Sequence, residues 1–223
     1  EEYFENPQRI FIEKTYRNPQ ELIDIAGSFI MKNPKQIRKS LKSPKNLKKP
    51  VKIIYPQKNP IEKREMIYNL IKDLSEKSDD VLILGRTNNN INQFIKHRNL
   101  VKKGNLKKDK FLRILDKTDK SMNNVYYRTL HSSKGLEADN VIIINMVDDY
   151  LGFPSKLKTH SVLNYVNTRN YDYKYSEERR LFYVGLTRSK NNVYLISDKN
   201  NPSEFIEELM DDSLENLEII EYN

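Results

Sequence analysis

The sequence predicts an α/β domain in which helices flank a mostly parallel β-sheet on both faces. Short apolar runs alternate along the chain with segments whose apolar residues recur at helical spacing. This alternation is typical of βαβ units, whose strands pair in parallel. The chain has 223 residues, 37% of them hydrophobic. We therefore expect one domain with a substantial core.

The first half of the chain is expected to alternate between strands and helices. Pro19 suits the first turn of a helix, with Asn18 as its N-cap. Residues 33–50 are basic and contain three prolines, which predicts an exposed connector. The expected elements are a strand at 9–13, a helix from Pro19, a strand at 51–55, a helix at 61–76 with Ile61 and Met66 facing inward, and a strand at 81–84 leading into a short capped helix.

The second half continues the alternation. Residues 96–120 are rich in lysine, and residues 148–176 are expected to be irregular. The sequence EERRLFYVGLTRSK at 177–190 predicts a helix that packs through Leu181, Phe182 and Val184. The other expected elements are a short helix around Phe111–Leu115, strands at 125–130 and 141–145 separated by a polar loop, a strand at 191–197, and a closing helix within 201–210.

The charge of the chain favours a polyanionic partner. The 39 Lys and Arg residues against 31 Asp and Glu residues give a net charge of +8. The excess is concentrated in residues 32–64 and 96–120, and such basic blocks favour nucleic acid first. A lysine-rich surface without a partner is the alternative. The chain has no cysteine, which excludes disulfides and Cys-ligated zinc.

The identity of the first residue and the length of the apolar runs lead to two further expectations. The first residue is Glu1, and we expect the chain to be part of a longer protein. No apolar run approaches the length of about 20 residues that a membrane-spanning helix needs. A cytoplasmic location is expected. The three histidines are too scattered along the sequence to suggest a metal site.

Nucleotide binding by the chain alone is not expected. No stretch fits the P-loop pattern G-x-x-x-x-G-K-[ST], and no hydrophobic strand ends in the acidic pair DE that could hold Mg²⁺ beside a P-loop. Arg17 and Arg188 nevertheless lie at the ends of expected elements. The planar guanidinium suits phosphate, and an arginine supplied across a domain interface stabilises phosphoryl transfer. For each arginine, a surface ion pair is the alternative.

Four polar motifs occur in order: TYRN, GRTN, TLHSSKGLEAD and EERRLFYVGLTRSK. They resemble motifs IV, IVa, V and VI of the UvrD/Rep-type superfamily 1 helicases, and the resemblance runs from about Ile10 to Ile206. It implies a RecA-like domain, the second motor domain, called 2A. Within the family, Ala138, the GFPS at 152–155 and the NPSEFIEEL after the last strand resemble helicase IV.

The resemblance implies a set of residues for ATP. Tyr16 matches the tyrosine that stacks on adenine, and Arg17 matches the arginine that reaches the γ-phosphate. Arg188 matches the arginine finger, Glu137 matches a glutamate near the ribose, and Gly135 permits close backbone approach. The cofactor would be ATP with Mg²⁺, whose ligands would come from the N-terminal RecA-like domain of the same polypeptide. For Tyr16, a half-buried ring at a strand end is the alternative.

The resemblance also implies contacts with single-stranded DNA. A basic groove with aromatic side chains suits this ligand. Strand alternation places at least one of Tyr126 and Tyr127 in the core. For His131, a loop histidine satisfied by its own neighbours is the alternative. The residues implied for DNA are Arg86, Thr87 and Asn88 of motif IVa, and Thr129, His131 and Lys134 of motif V. Glu178, Arg179 and Arg180 are expected to form ion pairs that brace the motif VI helix.

One departure concerns domain organisation. Relatives insert a large 2B domain between motifs IVa and V, but here a short basic segment at about 96–124 stands in that place. It has too few residues for an independent domain. We therefore expect residues 1–223 to form one 2A domain, with 2B naturally absent or deleted.

The function implied is that of the C-terminal half of a 3′–5′ ATP-dependent DNA helicase or translocase, with DNA repair as its setting. Alone, this half is expected to be inactive as an ATPase. One alternative is a motor ATPase related to helicase IV that serves RNA polymerase. Another is a non-catalytic nucleic-acid-binding module, in which the basic blocks are the function.

Overall fold

The computed structural model describes residues 13–37, 40–77, 79–94, 99–104, 112–118, 124–156 and 173–222. The strand expected at 9–13 lies almost entirely outside these ranges, as do His97, His160 and much of the basic segment at 96–124. Within the described residues, no helix is long and apolar enough to cross a membrane.

Strands and helices alternate along most of the described chain, as the sequence predicts. The strands are β1 (Val51–Tyr55), β2 (Val81–Gly85), β3 (Leu100–Lys103), β4 (Leu112–Asp116), β5 (Val125–Thr129), β6 (Ala138–Met146), β7 (Ser189–Ser197) and β8 (Leu217–Glu221). The α-helices are α1 (Gln20–Met31), α2 (Pro60–Glu76), α3 (Asn90–Phe94), α4 (Ser176–Leu186) and α5 (Glu204–Ser213). Short 3₁₀ turns lie at His131–Ser133 and Leu214–Asn216.

The strands form one eight-stranded sheet in the order β3-β4-β5-β2-β6-β7-β1-β8. The six strands from β5 to β8 in this order run parallel, whereas β3 and β4 are antiparallel. This confirms the α/β class with a mostly parallel sheet. We call the side where β2 and β5 end the carboxyl edge, and the side where β6 and β7 begin the amino edge.

Helices cover both faces, so the sheet has two apolar cores. On one face, α1, α4 and α5 bring together Phe29, Phe182 and Phe205. The ring centroid of Phe29 lies 5.0 Å from those of Phe182 and Phe205, in edge-on geometry. On the other face, α2 packs Met66, Ile67 and Ile71 against the strands.

Some local expectations are wrong. The short helix expected around Phe111–Leu115 is strand β4, because alternate residues are buried and the strand pairs with β5. Strands β3 and β8 were not expected. Ile61 is 67% exposed, because it lies in the first turn of α2, ahead of the buried stripe. In α4, Leu181 and Phe182 are buried as expected, but Val184 is only half-buried.

The basic segment at 33–50, expected to be an exposed connector, is hydrogen-bonded to α1. The Ser43 amide donates to Gln20 Oε1 at 2.8 Å, and the Leu47 amide donates to Glu21 Oε2 at 2.8 Å. The Lys45 ammonium donates to the Lys190 carbonyl. The described part of this basic segment therefore has a fixed path between α1 and β1.

Arg179 is a cation enclosed by the core. Only 2% of it is exposed, and it lies between the rings of Phe29 and Phe205, 4.9 and 5.2 Å from their centroids. Both terminal nitrogens donate to the Glu208 carboxylate. Burial alone would lower the pKa of Arg179, but Glu208 more than compensates, and the pKa is raised. The expected ion pair of Arg179 is thus confirmed, with its partner on α5.

We predict that Arg179→Ala lowers the free energy of unfolding by about 3–5 kcal/mol, because it leaves the Glu208 carboxylate without its buried partner. Arg180→Ala is the matched control. Arg180 is the next residue and pairs with Glu177 at 3.2 Å on an exposed helix face, so its loss should cost less than about 1 kcal/mol. Urea unfolding of both variants checks the prediction, and equal losses would contradict it.

Candidate functional site

Three segments separated in sequence meet at the amino edge of the sheet. The Asn18 side-chain amide donates to the carbonyls of Ser189 at 2.6 Å and Thr187 at 3.3 Å. The Ala138 amide donates to the Arg188 carbonyl at 3.1 Å. Asn18 was expected to cap α1, but the helix begins after Pro19 without a side-chain cap. The buried amide of Asn18 instead connects the TYRN segment to the end of motif VI.

These connections place Arg17, Glu137, Arg188 and Lys190 together, and we call this group the cation cluster. Arg17 Nε donates to Glu137 Oε2 at 2.8 Å. Lys190 Nζ lies 3.6 Å from the other oxygen of Glu137 and 3.7 Å from Asp139 Oδ1. Three cations therefore face two carboxylates, which leaves one positive charge in excess.

Arg188 has a different environment from the other two cations of the cluster. Its guanidinium donates to the carbonyls of Val184 at 2.9 Å and Leu136 at 3.3 Å, and to Thr187 Oγ1 at 3.3 Å. Among the described residues it has no ion pair. Burial and the neighbouring charge of Arg17 lower the pKa of Arg188. A half-buried cation beside a second cation is a favourable place for an anion.

Tyr16 and Gly135 are both accessible. Tyr16 is 71% exposed, so the alternative of a half-buried ring is wrong. Lys14 Nζ lies 5.1 Å from its ring centroid. Gly135 has φ +82°, and an added Cβ there would meet no atom within 4 Å. The constraint on Gly135 is therefore its left-handed backbone rather than lack of space.

A second group lies at the carboxyl edge, on the opposite side of the sheet, and we call Arg86, His131 and Glu178 the polar cluster. Arg86 Nε donates to both carboxylate oxygens of Glu178 at 3.0 Å, and Nη2 donates to Oε1 at 2.7 Å. Arg86 Nη1 lies 3.3 Å from His131 Nδ1. Glu178 Oε2 also accepts from the Ser155 amide at 3.1 Å. The ion pair expected for Glu178 is confirmed.

The environment of His131 favours its neutral form. Burial and the charge of Arg86 lower its pKa, while Glu178 and Glu177 act in the opposite direction. A neutral imidazole whose Nδ1 accepts from Arg86 carries its proton on Nε2. The second nitrogen is then a hydrogen-bond donor.

The remaining motif IVa and V residues surround the polar cluster. The Thr87 amide and hydroxyl both donate to Asn90 Oδ1, at 2.7 and 3.1 Å. Thr129 Oγ1 donates to Ser132 Oγ at 3.1 Å. Asn88 and Lys134 are exposed. Of the two adjacent tyrosines, Tyr127 is fully buried, as strand alternation required.

The structure divides the sequence-predicted residues between two edges of the sheet. Parallel sheets bind ligands beyond the carboxyl ends of their strands, and of the sequence-predicted residues only those of motifs IVa and V that follow β2 and β5 lie there. The loop 130–137 crosses back over the sheet, so Glu137 lies at the amino edge with Arg17 and Arg188. Sequence reasoning missed the roles of Asn18 and Lys190. Glu178 falls on the apolar stripe of its helix, three residues before Leu181 and four before Phe182, and this was the available signal for a partner such as Arg86.

Comparison with known proteins supports the motif resemblance. The model of the UvrD-like helicase C-terminal domain matches residues 96–200, just under half of the chain. The chain is 27% identical over 206 residues to DNA helicase IV of Escherichia coli (strain K12), and the match covers 92% of this chain and 27% of that protein. The chain therefore spans about a quarter of the length of that relative.

Other relatives agree. The ATP-dependent DNA helicase PcrA of Bacillus subtilis (strain 168) is 33% identical over 99 residues, which are 40% of this chain and 12% of that protein. A solved C-terminal domain of a possible DNA helicase from Lactobacillus plantarum WCFS1 has a TM-score of 0.55 at 14% identity, covering 94% of this chain and 99% of that one. The latter shows that the two chains share a fold.

We predict that His131 titrates below its ordinary pKa of about 6.5, because burial and Arg86 disfavour the imidazolium. The Cε1 proton signal of His131, identified by its loss in His131→Asn, would report this in an NMR titration. Glu178→Gln should lower the pKa further, because it removes a charge that favours protonation. Since the folded state binds the proton more weakly than the unfolded chain, stability should fall as the pH drops through 6.5. A titration at or above 6.5 would contradict the prediction.

Proposed function

We propose that this UvrD-like domain is the C-terminal motor half of an ATP-dependent DNA helicase or translocase. In this proposal the cation cluster faces the triphosphate of ATP held by an N-terminal RecA-like domain of the same polypeptide. The observation that carries the proposal is the placement of Arg17 and Arg188 at one edge, with a positive charge in excess and with backbone carbonyls rather than an ion-paired carboxylate on Arg188 among the described residues. DNA helicase IV and PcrA support it as relatives.

The residues of the cation cluster fit the phosphate end of ATP better than its metal. Two guanidinium groups suit phosphate oxygens. No group of three potential metal ligands occurs among the described residues, so the Mg²⁺ ligands belong to the other domain in this proposal. The exposed ring of Tyr16 is available to stack on adenine, and Glu137 stands next to Arg17, where the ribose is expected.

The proposed mechanism assigns different tasks to the two arginines. Arg188 is held by backbone carbonyls, so its charge is pre-positioned to stabilise the γ-phosphoryl group as negative charge develops there. Arg17 is paired with Glu137 at a site where the two side chains are 38% and 44% exposed. A phosphate can therefore compete with Glu137 for Arg17. ATP, with its Mg²⁺, supplies the free energy that the two domains convert into movement.

Single-stranded DNA is assigned to the carboxyl edge in this proposal. Asn88 and Lys134 are exposed there, and neutral His131 offers a donor on Nε2. Hydrogen bonds within the domain already engage Thr87, Thr129 and Arg86. In this proposal these residues position their loops and also contact DNA. The movement along DNA is 3′ to 5′, as in the UvrD/Rep-type helicases that the motifs resemble.

The domain organisation belongs to the same proposal. We assign residues 1–223 to one 2A domain in which the segment at about 96–124 stands where relatives carry 2B. In support, β3 and the antiparallel β4 extend the sheet beside β5. Part of the segment is therefore built into the motor domain itself.

We predict that Arg188→Ala in the complete gene product lowers the kcat of DNA-stimulated ATP hydrolysis by about 10³-fold, because an arginine finger acts on the transition state. Affinity for single-stranded DNA should be unchanged. Arg180→Ala, in the helix α4 that leads to Arg188, is the control and should keep its activity. Thermal unfolding of each variant tests its integrity, and turnover by a folded Arg188→Ala within a few-fold of the parent would refute the finger role.

We also predict that the 223-residue chain alone has negligible ATPase activity with or without DNA, because it has no P-loop to hold the triphosphate. Phosphate release measured at saturating ATP and Mg²⁺ tests this. The complete gene product, assayed in parallel, is the positive control. Robust turnover by the isolated chain, abolished by Arg188→Ala, would show that nucleotide binding does not need a second domain.

A further inference from the structure

A cavity of about 340 Å³ opens at the carboxyl edge, between the start of α2 and the ends of β6 and β7. None of the residues predicted from the helicase motifs lines it. Its wall includes the side chains of three basic residues, Lys58, Lys63 and Arg64. Polar residues complete it, among them Asn90 at the start of α3, Asn145 of β6 and Ser197 of β7.

The charge of this cavity is uncompensated within the described part of the chain. Lys58, Lys63 and Arg64 have no ion pair there, and none of the residues lining the cavity is acidic. Two other arginines of the domain are paired, Arg86 with Glu178 and Arg179 with Glu208. Three cations around one concave site raise the local potential and favour a bound anion.

The cavity is continuous with the edge assigned to DNA. Asn90 lines the cavity, and its side-chain oxygen accepts both hydrogen bonds from Thr87 of motif IVa. In the sheet, β6 lies directly beside β2, and β7 lies beside β6. Two strand spacings, roughly 10 Å, therefore separate the end of β2 from the end of β7. A single strand of DNA that runs from Thr87 toward the ends of β6 and β7 therefore reaches the cavity.

We propose that this cavity binds a backbone phosphate of single-stranded DNA through Lys58, Lys63 and Arg64, and so extends the DNA path from β2 across the ends of β6 and β7. The inference rests on the proposed function, because it assumes that DNA occupies the carboxyl edge. Ammonium and guanidinium groups recognise phosphate without reading the base. The cavity therefore contributes affinity and fixes the position of the strand, but not sequence specificity.

The test compares two variants with the same change in charge on one helix. Lys63→Gln/Arg64→Gln removes two cations from the cavity. The control, Lys72→Gln/Lys77→Gln, removes two cations from the other end of α2, next to the amino edge. Fluorescence anisotropy of a labelled oligothymidylate, titrated with the 223-residue chain at several salt concentrations, measures affinity and its salt dependence. Thermal unfolding confirms that both variants are folded.

The cavity variant should bind the oligonucleotide about 10-fold more weakly at low salt. The slope of log affinity against log salt should fall by about 0.7 for each phosphate that the protein no longer neutralises. The control should match the parent. If the parent binds DNA and both variants match it, the cavity assignment fails and the proposed function stands.

Two further outcomes separate the cavity from the rest of the DNA path. If the parent chain shows no salt-dependent DNA binding, the DNA side of the proposed function fails, and the cavity assignment fails with it. Labelled poly-glutamate is a third arm of the experiment. A cavity variant that loses affinity for this ligand alone would assign the cavity to an acidic protein partner and overturn the proposal.

Discussion

Helix α4 lies so close to the sheet that residue 185 has no room for a side chain. A Cβ on Gly185 would approach Leu130 Cδ2 to 2.6 Å and Ile143 Cδ1 to 3.0 Å. The 11 residues of the helix give it a length of about 16 Å, which carries it from one edge of the sheet to the other. Its first turn places Glu178 beside Arg86, and its exit places Arg188 beside Arg17. Close packing of one short helix thus fixes the spacing between both groups of functional residues.

The arginines of the domain show how local surroundings decide what a charged motif residue does. Arg179 is enclosed by rings and by Glu208, and its contribution is to the core. The Arg86 guanidinium donates hydrogen bonds to both Glu178 and His131. Arg188 has backbone carbonyls for partners, which orient the guanidinium but do not neutralise it. Of these three arginines, only Arg188 keeps a fixed positive charge that is available to a ligand. Arg179 has no such charge to offer, although it lies in the same motif as Arg188.

The periodicity of apolar residues and the order of the motifs predicted most of the fold. The resemblance of the motifs to those of known helicases indicated which residues to consider for a functional role. The parallel strands other than β8, together with α1, α2, α4 and α5, follow from apolar spacing alone. The error at 112–116 arose because Leu112 and Ile114 suit either a helix or a strand until pairing with β5 is known. The division of the motifs between two sheet edges was missed although it follows from parallel pairing: β5 and β6 both run parallel to β2, so the loop at 130–137 returns from the carboxyl edge to the amino edge. Asn18 was misjudged because its partners, Thr187 and Ser189, are distant in sequence.

The two outermost strands have a consequence for how this domain behaves in concentrated solution. Strand β3 ends in Lys102 and Lys103, and strand β8 carries Glu218 and Glu221. Exposed strand edges are templates for intermolecular pairing, and like charges along an edge oppose it. Two copies that met along β3 would bring lysine against lysine, whereas Glu218 and Glu221 of β8 are already paired with Lys52 and Lys199. The lysines therefore oppose symmetric self-association at the β3 margin.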